Sequence, residues 1–181
     1  MRLFRVAGLL AVGVCMAQFM MAQLPPPPAV PQGLDALRQA ASSKTEFTLD
    51  HSMLVLASKL DPGDEDLRRV IAGVSGVSVH SFRFPRTWMY DMDALNSVKD
   101  EYRFGGWKQL VNKQDPGGVT GVWVRFENNA VSNVAMLFGR AREVDYVVVS
   151  GSISPMDLSH LGGHFGIPKI EGGVLVPNER R

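Results

Sequence analysis

Apolar residues recur along this chain with two different periods, and the period of two is clearest between Val119 and Ser150. That stretch reads VTGVWVRFENNAVSNVAMLFGRAREVDYVVVS, three strand-like runs separated by two turn signals. Val122, Val124 and Phe126 alternate with Trp123, Arg125 and Glu127, as expected of a strand with two distinct faces. Asn128-Asn129 tolerates the positive φ of a tight hairpin, and Val134, Met136 and Phe138 continue the alternation on the return strand. Val144 to Val149 is nearly continuous apolar sequence, the signature of a central strand. Upstream, Trp107 to Asn112 predicts a further strand, joined to this block by the turn Asp115-Pro116-Gly117-Gly118.

Elsewhere the period is helical. Leu34, Leu37 and Ala41 lie on one face of a short predicted helix, and Thr45 to Leu49 predicts a short strand ending at the helix cap Asp50. Met53, Leu56, Ala57 and Leu60 mark the inward face of the next helix, which stops at Asp61-Pro62-Gly63. Asp64 caps another helix, with Glu65 and Asp66 in its first turn and Leu67, Val70, Ile71 and Val74 on its apolar face. Gly73 and Gly76 bracket its end. Val77 to Phe84 predicts a strand whose alternation changes phase between Val79 and Phe82, implying a bulge or burial on both faces. Met92, Leu95, Val98 and Tyr102 predict a helix over Asp91 to Arg103. Ser154-Pro155-Met156-Asp157 is a capping-box start, with Leu158 and Leu161 inward and Gly162-Gly163 as the stop. The order αβααβαββββα, with four late strands in succession, gives an α+β fold: an antiparallel sheet with a C-terminal four-strand meander and helices mainly on one face. Its expected extent is residues 45–167, after a proline-rich spacer and short helix (23–44) and before an extended tail (168–181).

The first 22 residues stand apart. Arg2 and Arg5 precede an apolar run from Val6 to Ala17, and Met20-Met21-Ala22 offers a cleavage site, the layout of a secretory signal peptide ending at Ala22. The run is shorter than the roughly 20 residues of a spanning helix, and Gln18 interrupts it. The chain is therefore expected to be exported, periplasmic or extracellular, without a membrane anchor after cleavage. A retained anchor and lipidation at Cys15 are the alternatives. Cleavage after Ala22 removes Cys15, the single cysteine, so disulfides and thiol chemistry drop out. Loss of Arg2 and Arg5 takes 19 basic against 18 acidic side chains to 17 against 18. Such a balance, without a basic stripe, argues against nucleic acid as a partner. The proline tract from Leu24 to Gly33 reads as a stiff spacer.

Candidate chemistry is sparse. His160 and His164 are four apart, but Gly162-Gly163 intervenes and no acidic third ligand is near, so no metal site is expected. Asp61, Asp64, Glu65 and Asp66 lack the calcium-loop pattern and read as caps. No nucleophile elbow and no phosphate loop occurs, so no catalytic residue and no cofactor is expected. Tryptophan and tyrosine serve interfaces as well as cores, and Trp88, Tyr90, Trp107 and Trp123 are the ones to place. If Val122 and Val124 face the helices, Trp123 lies on the opposite sheet face beside Arg125. Trp107, Trp123 and Arg125 are accordingly the candidate binding residues.

One set of segments carries a resemblance. EFTLDHSMLVLASKL, GVSGVSVHSFRF, GGWKQLV, GVWVRFENNAVSNVAMLF and VDYVVVSGSISPMDLSHLG, spanning roughly Thr45 to Gly163, resemble the exported bacterial family described as domain of unknown function 4252. The resemblance implies a small exported or lipid-anchored protein with no established activity, and hence no catalytic residue to carry over. The leading expectation is a non-enzymatic envelope module that binds another protein or itself. The rivals are a small-molecule or lipid carrier lined by Met53, Met92, Met136 and Met156, and a hydrolase dependent on His160.

Overall fold

Six strands form one antiparallel sheet with helices on both of its faces. The structure, a computed structural model, describes residues 30–59, 63–87, 90–154, 157, 160, 164, 169–171 and 174–176. In chain order the elements are α1 (Gly33–Ala40), β1 (Ser43–Asp50), α2 (His51–Ser58), α3 (Glu65–Gly73), β2 (Val74–Arg83), α4 (Met92–Phe104), β3 (Lys108–Asp115), β4 (Gly118–Glu127), β5 (Ala130–Arg140) and β6 (Glu143–Gly151). A separate two-stranded ladder pairs β7 (Lys169–Glu171) with β8 (Val174–Val176). The large sheet runs β1-β2-β6-β5-β4-β3, every neighbour antiparallel. The last four strands are a meander, as the sequence predicts. α4 carries the chain from β2, past β6, β5 and β4, to β3 at the far edge. The expected signal segment and the first prolines of the spacer lie outside the described residues, as do Leu60, Trp88, Met156, Leu158 and Leu161.

Local chemistry sets the element ends. The carboxylates of Asp50 and Asp64 accept from the N–H groups of Met53 (2.9 Å) and Leu67 (2.8 Å), capping α2 and α3. Asn128 and Asn129 adopt φ of 50° and 62°, which closes the β4–β5 hairpin. Ser154 and Asp157 form the reciprocal capping pair, each backbone N–H donating to the other's side chain at 3.0 and 3.1 Å. In β2 the phase change reflects burial on both faces: Val77 and Val79 enter one core while Phe82 enters the other. The β2–β6 register shift lies elsewhere, between Val74 and Gly76.

The two cores correct the expectation of helices mainly on one face. Leu54 of α2 and Leu67, Val70 and Ile71 of α3 pack with Val122, Val124, Val134, Met136, Val147 and Val149. Leu34 and Leu37 of α1 and Leu95, Val98 and Tyr102 of α4 pack with Trp123, Ala135, Leu137, Tyr146 and Val148 on the opposite side. Alternate residues of β4, β5 and β6 thus feed alternate faces, and both are apolar, so each requires a cover. The folded unit consequently begins before residue 45, because Leu34 and Leu37 are fully buried; each such burial is worth about 1.5–3 kcal/mol. Gly33 permits the close α1–α4 approach: a Cβ there would lie 2.6 Å from the carbonyl oxygen of Ala94.

The inward face of α2 also differs from expectation. Leu54 and Ser58 are buried, whereas Met53 and Leu56 are 48% and 64% exposed. With five apolar residues in a row (Met53 to Ala57), the cap at Asp50 sets the helical phase, and that phase turns Leu54 to the sheet. The three described methionines do not converge on a carrier pocket. Met136 lies in the α2–α3 core and Met92 against the α1–α4 core, Met53 is exposed, and Met156 is outside the described residues.

Candidate functional site along the first edge strand

The sheet has two edges, β1 and β3, and most side chains on both are exposed. β1 pairs with β2 in an unbroken register of eight residues, from Ser43↔Arg83 to Asp50↔Gly76. That register places Glu46 beside His80 and Thr48 beside Ser78 on the α1 side of the sheet. Arg38, in the last turn of α1, reaches down to the same point. Its Nε donates to both Glu46 carboxylate oxygens at 3.0 and 3.1 Å, and its Nη2 donates to Oε1 at 2.8 Å. A fork of this kind is the strongest geometry available to a carboxylate. Asp35 also pairs with Arg38, one turn earlier in α1.

Beyond Glu46 the polar chain continues. His80 Nδ1 lies 2.8 Å from Glu46 Oε1, and its Nε2 lies 3.0 Å from Ser78 Oγ. Ser78 Oγ is 3.1 Å from Thr48 Oγ1. The imidazole is nearly buried, with its ring centroid 5.7 Å from that of Tyr146. The hydrogen bonds from Arg38 hold the Glu46 carboxyl below the usual range; partial burial opposes this, and His80 reinforces it. The same carboxylate raises the Arg38 guanidinium above its ordinary value.

Carboxylate, imidazole and hydroxyl in this order are the parts of an acyl-transfer triad, so the chemistry must be tested against the geometry. Ser78 sits in β2, an interior strand whose backbone pairs with β1 on one side and β6 on the other. Its neighbouring N–H groups are therefore spent in the ladders, and none is left to stabilise an oxyanion beside Ser78 Oγ. The array instead ties α1 to the edge strand and locks the Glu46 charge in place.

The candidate binding residues fall differently from expectation. Trp123 does face away from Val122 and Val124, but that side is covered and Trp123 is 1% exposed. Its ring stacks on Tyr102 of α4 with centroids 4.8 Å apart and an interplanar angle of 18°. Gly121 makes the room, since a Cβ there would meet the indole at 2.1 Å. Trp107, half-buried, meets the edge of Tyr102 at 4.9 Å and 89°. The hydroxyls of Tyr102 and Tyr146 hydrogen-bond to each other in the core, and burial pushes both phenols up. Only Arg125 is exposed, beside the register shift between Arg125 and Phe126. The structure thus brings Trp107 and Trp123 together around Tyr102 as core, and the outward aromatic patch does not form.

Among the described residues no third metal-capable side chain joins His160 and His164. His164 Nε2 instead lies 3.5 Å from Asp64 Oδ2. Sequence reasoning missed Arg38, Glu46, Ser78 and His80. The alternation in VSVHSF and TEFTL puts Ser78 with His80, and Glu46 with Thr48; only the strand register brings the two pairs together.

A family model described as Domain of unknown function (DUF4252) matches residues 40–161, more than half of the chain. The chain belongs to this family. No curated protein and no solved structure matches the chain. The family span takes in Glu46, Thr48, Ser78 and His80, but it starts at the last residue of α1. Arg38 and the core leucines of α1 therefore precede it. No activity comes with the family's description.

Proposed function

We propose that this protein is an exported, non-enzymatic interaction module that recognises an extended chain by strand addition at β1. The observation that carries the reading is the state of this edge: eight residues in straight register, with the only carboxylate in mid-strand paired with Arg38 and in hydrogen-bond contact with His80. Strand addition draws its affinity from main-chain hydrogen bonds, so it needs a straight edge with no uncompensated charge in mid-strand. Among the described residues β1 has no second neighbour. The missing oxyanion donors beside Ser78 support the non-enzymatic part. Export is supported by the layout of the first 22 residues, and N-terminal sequencing of protein recovered from the cell envelope should begin at Gln23; a chain there that retains Met1 overturns cleavage, and protein confined to the cytoplasm overturns export.

The test of strand addition is hydrogen exchange with peptides selected for binding to the purified protein. Bound peptides should slow exchange of amides between Ser43 and Asp50 and leave Lys108 to Asp115 unchanged. Protection confined to β3, or to neither edge, refutes the reading.

A further inference from the structure

We infer that the strand received by β1 is β1 of a second copy, paired antiparallel about a two-fold axis at Phe47; this rests on the strand-addition reading above. The argument is one of register. In a continuous antiparallel sheet directly opposed residues point to the same face, so a two-fold axis between two copies of one strand must pass through a residue and not between residues. For the eight residues Ser43–Asp50, axes at Glu46 and at Phe47 give the longest overlaps.

An axis at Glu46 sets two carboxylates against each other, each already held by Arg38 and His80, and leaves Lys44 opposite Thr48 and Asp50 outside the overlap, so no ion pair forms. An axis at Thr48 sets Glu46 against Asp50 with the same fault. An axis at Thr45 sets Lys44 against Glu46, whose carboxylate Arg38 and His80 already hold, and it pairs only five residues. The axis at Phe47 pairs Lys44 with Asp50 twice by symmetry, Glu46 with Thr48, Thr45 with Leu49, and Phe47 with itself. Lys44 is exposed and makes no ion pair among the described residues. Asp50 is exposed, and only its Oδ1 serves the α2 cap. The half-buried Phe47 and Leu49, already packed against the α2–α3 core, then extend that core across the junction. Charge and apolar surface agree on one register, which joins the two sheets into one.

Sedimentation or light scattering of the full chain tests this. The wild type should be a dimer, and Lys44→Glu and Asp50→Lys should each raise its dissociation constant about tenfold or more. Mixing the two variants should restore the dimer. In the mixed pair the introduced glutamate of one copy faces the introduced lysine of the other, and the remaining Asp50 faces the remaining Lys44. In a Cys15→Ser background, Phe47→Cys should cross-link on oxidation and Thr45→Cys should not. Circular dichroism checks that each variant is folded. A dimer that tolerates Lys44→Glu, or that cross-links through Thr45→Cys, overturns the inference. A monomeric wild type also overturns it, and peptide protection of β1 would then show that strand addition survives with a different partner.

Discussion

The two edges of this sheet are equal in length and opposite in design. β3 has a register shift between Gln109 and Val111 that leaves Leu110 out of the pairing and 51% exposed. It carries lysines at 108 and 113, and Lys113 reaches Asp115 at 2.8 Å. Bulges and edge lysines are the usual means of refusing a further strand. β1 has no bulge, its single lysine, Lys44, lies next to its first residue, and its mid-strand charge is held from behind by a neighbouring strand and a helix. The contrast shows that exposure alone does not make an edge receptive. What matters is whether the ladder is straight and whether its mid-strand charge is already compensated.

The largest expected effect concerns what stands behind each edge. The β3 side is backed by the stack of Trp107, Tyr102 and Trp123, whereas the β1 side is backed by the polar chain from Arg38 to Ser78. Trp123→Ala should therefore cost about 3–5 kcal/mol, the usual range for emptying a large aromatic site. Urea denaturation would measure it. In conditions where the variant remains folded, association through β1 should be unchanged. If association falls with stability, the two edges are not independent and the comparison breaks.

How much of this was legible beforehand differs by level. The meander, the caps at Asp50 and Asp64 and the Asn128-Asn129 hairpin are local chemistry, and the sequence predicts each. Helix placement is a matter of counting faces. Trp123, Ala135, Leu137, Tyr146 and Val148 form a second apolar face as large as that of their neighbours, and two further helices had to cover it. Reading Trp123 alone, as a residue out of phase with Val122 and Val124, gave an outward patch; reading the whole odd row of β4 with its partners in β5 and β6 gives a second core. The β1 site was less legible, because its parts lie on α1, β1 and β2. Arg38 and Glu46 are only eight residues apart, but Glu46 and His80 are separated by 34. Such a contact becomes visible only when the register is known.

The smallest expected effect separates two carboxylates that titrate in opposite senses. Glu46 is held below the usual range by Arg38, so its contribution is present above the unfolded value of about 4 and is lost as pH falls through the lower folded value. Asp145 lies on the other face, where Ser81 donates to it at 2.7 Å and Arg140 pairs with it. Burial nevertheless raises its pKa, against the pull of Ser81 and Arg140. The folded chain therefore takes up this proton more readily than the unfolded chain. Stability gained from Asp145 is present at low pH and is lost as pH rises through its raised value. Urea denaturation between about pH 3 and pH 7 should show Asp145→Asn flattening the acid-stabilised limb above about pH 4. Glu46→Gln should flatten the acid-labile limb below it, and Arg38→Met should move that limb up toward the ordinary carboxylate value. The β1 pair is still open to solvent at about 30% of each side chain, so its limb should amount to no more than about 1 kcal/mol. If Arg38→Met leaves the limb where it was, Arg38 is not what compensates Glu46, and only the straight ladder still distinguishes β1 from β3.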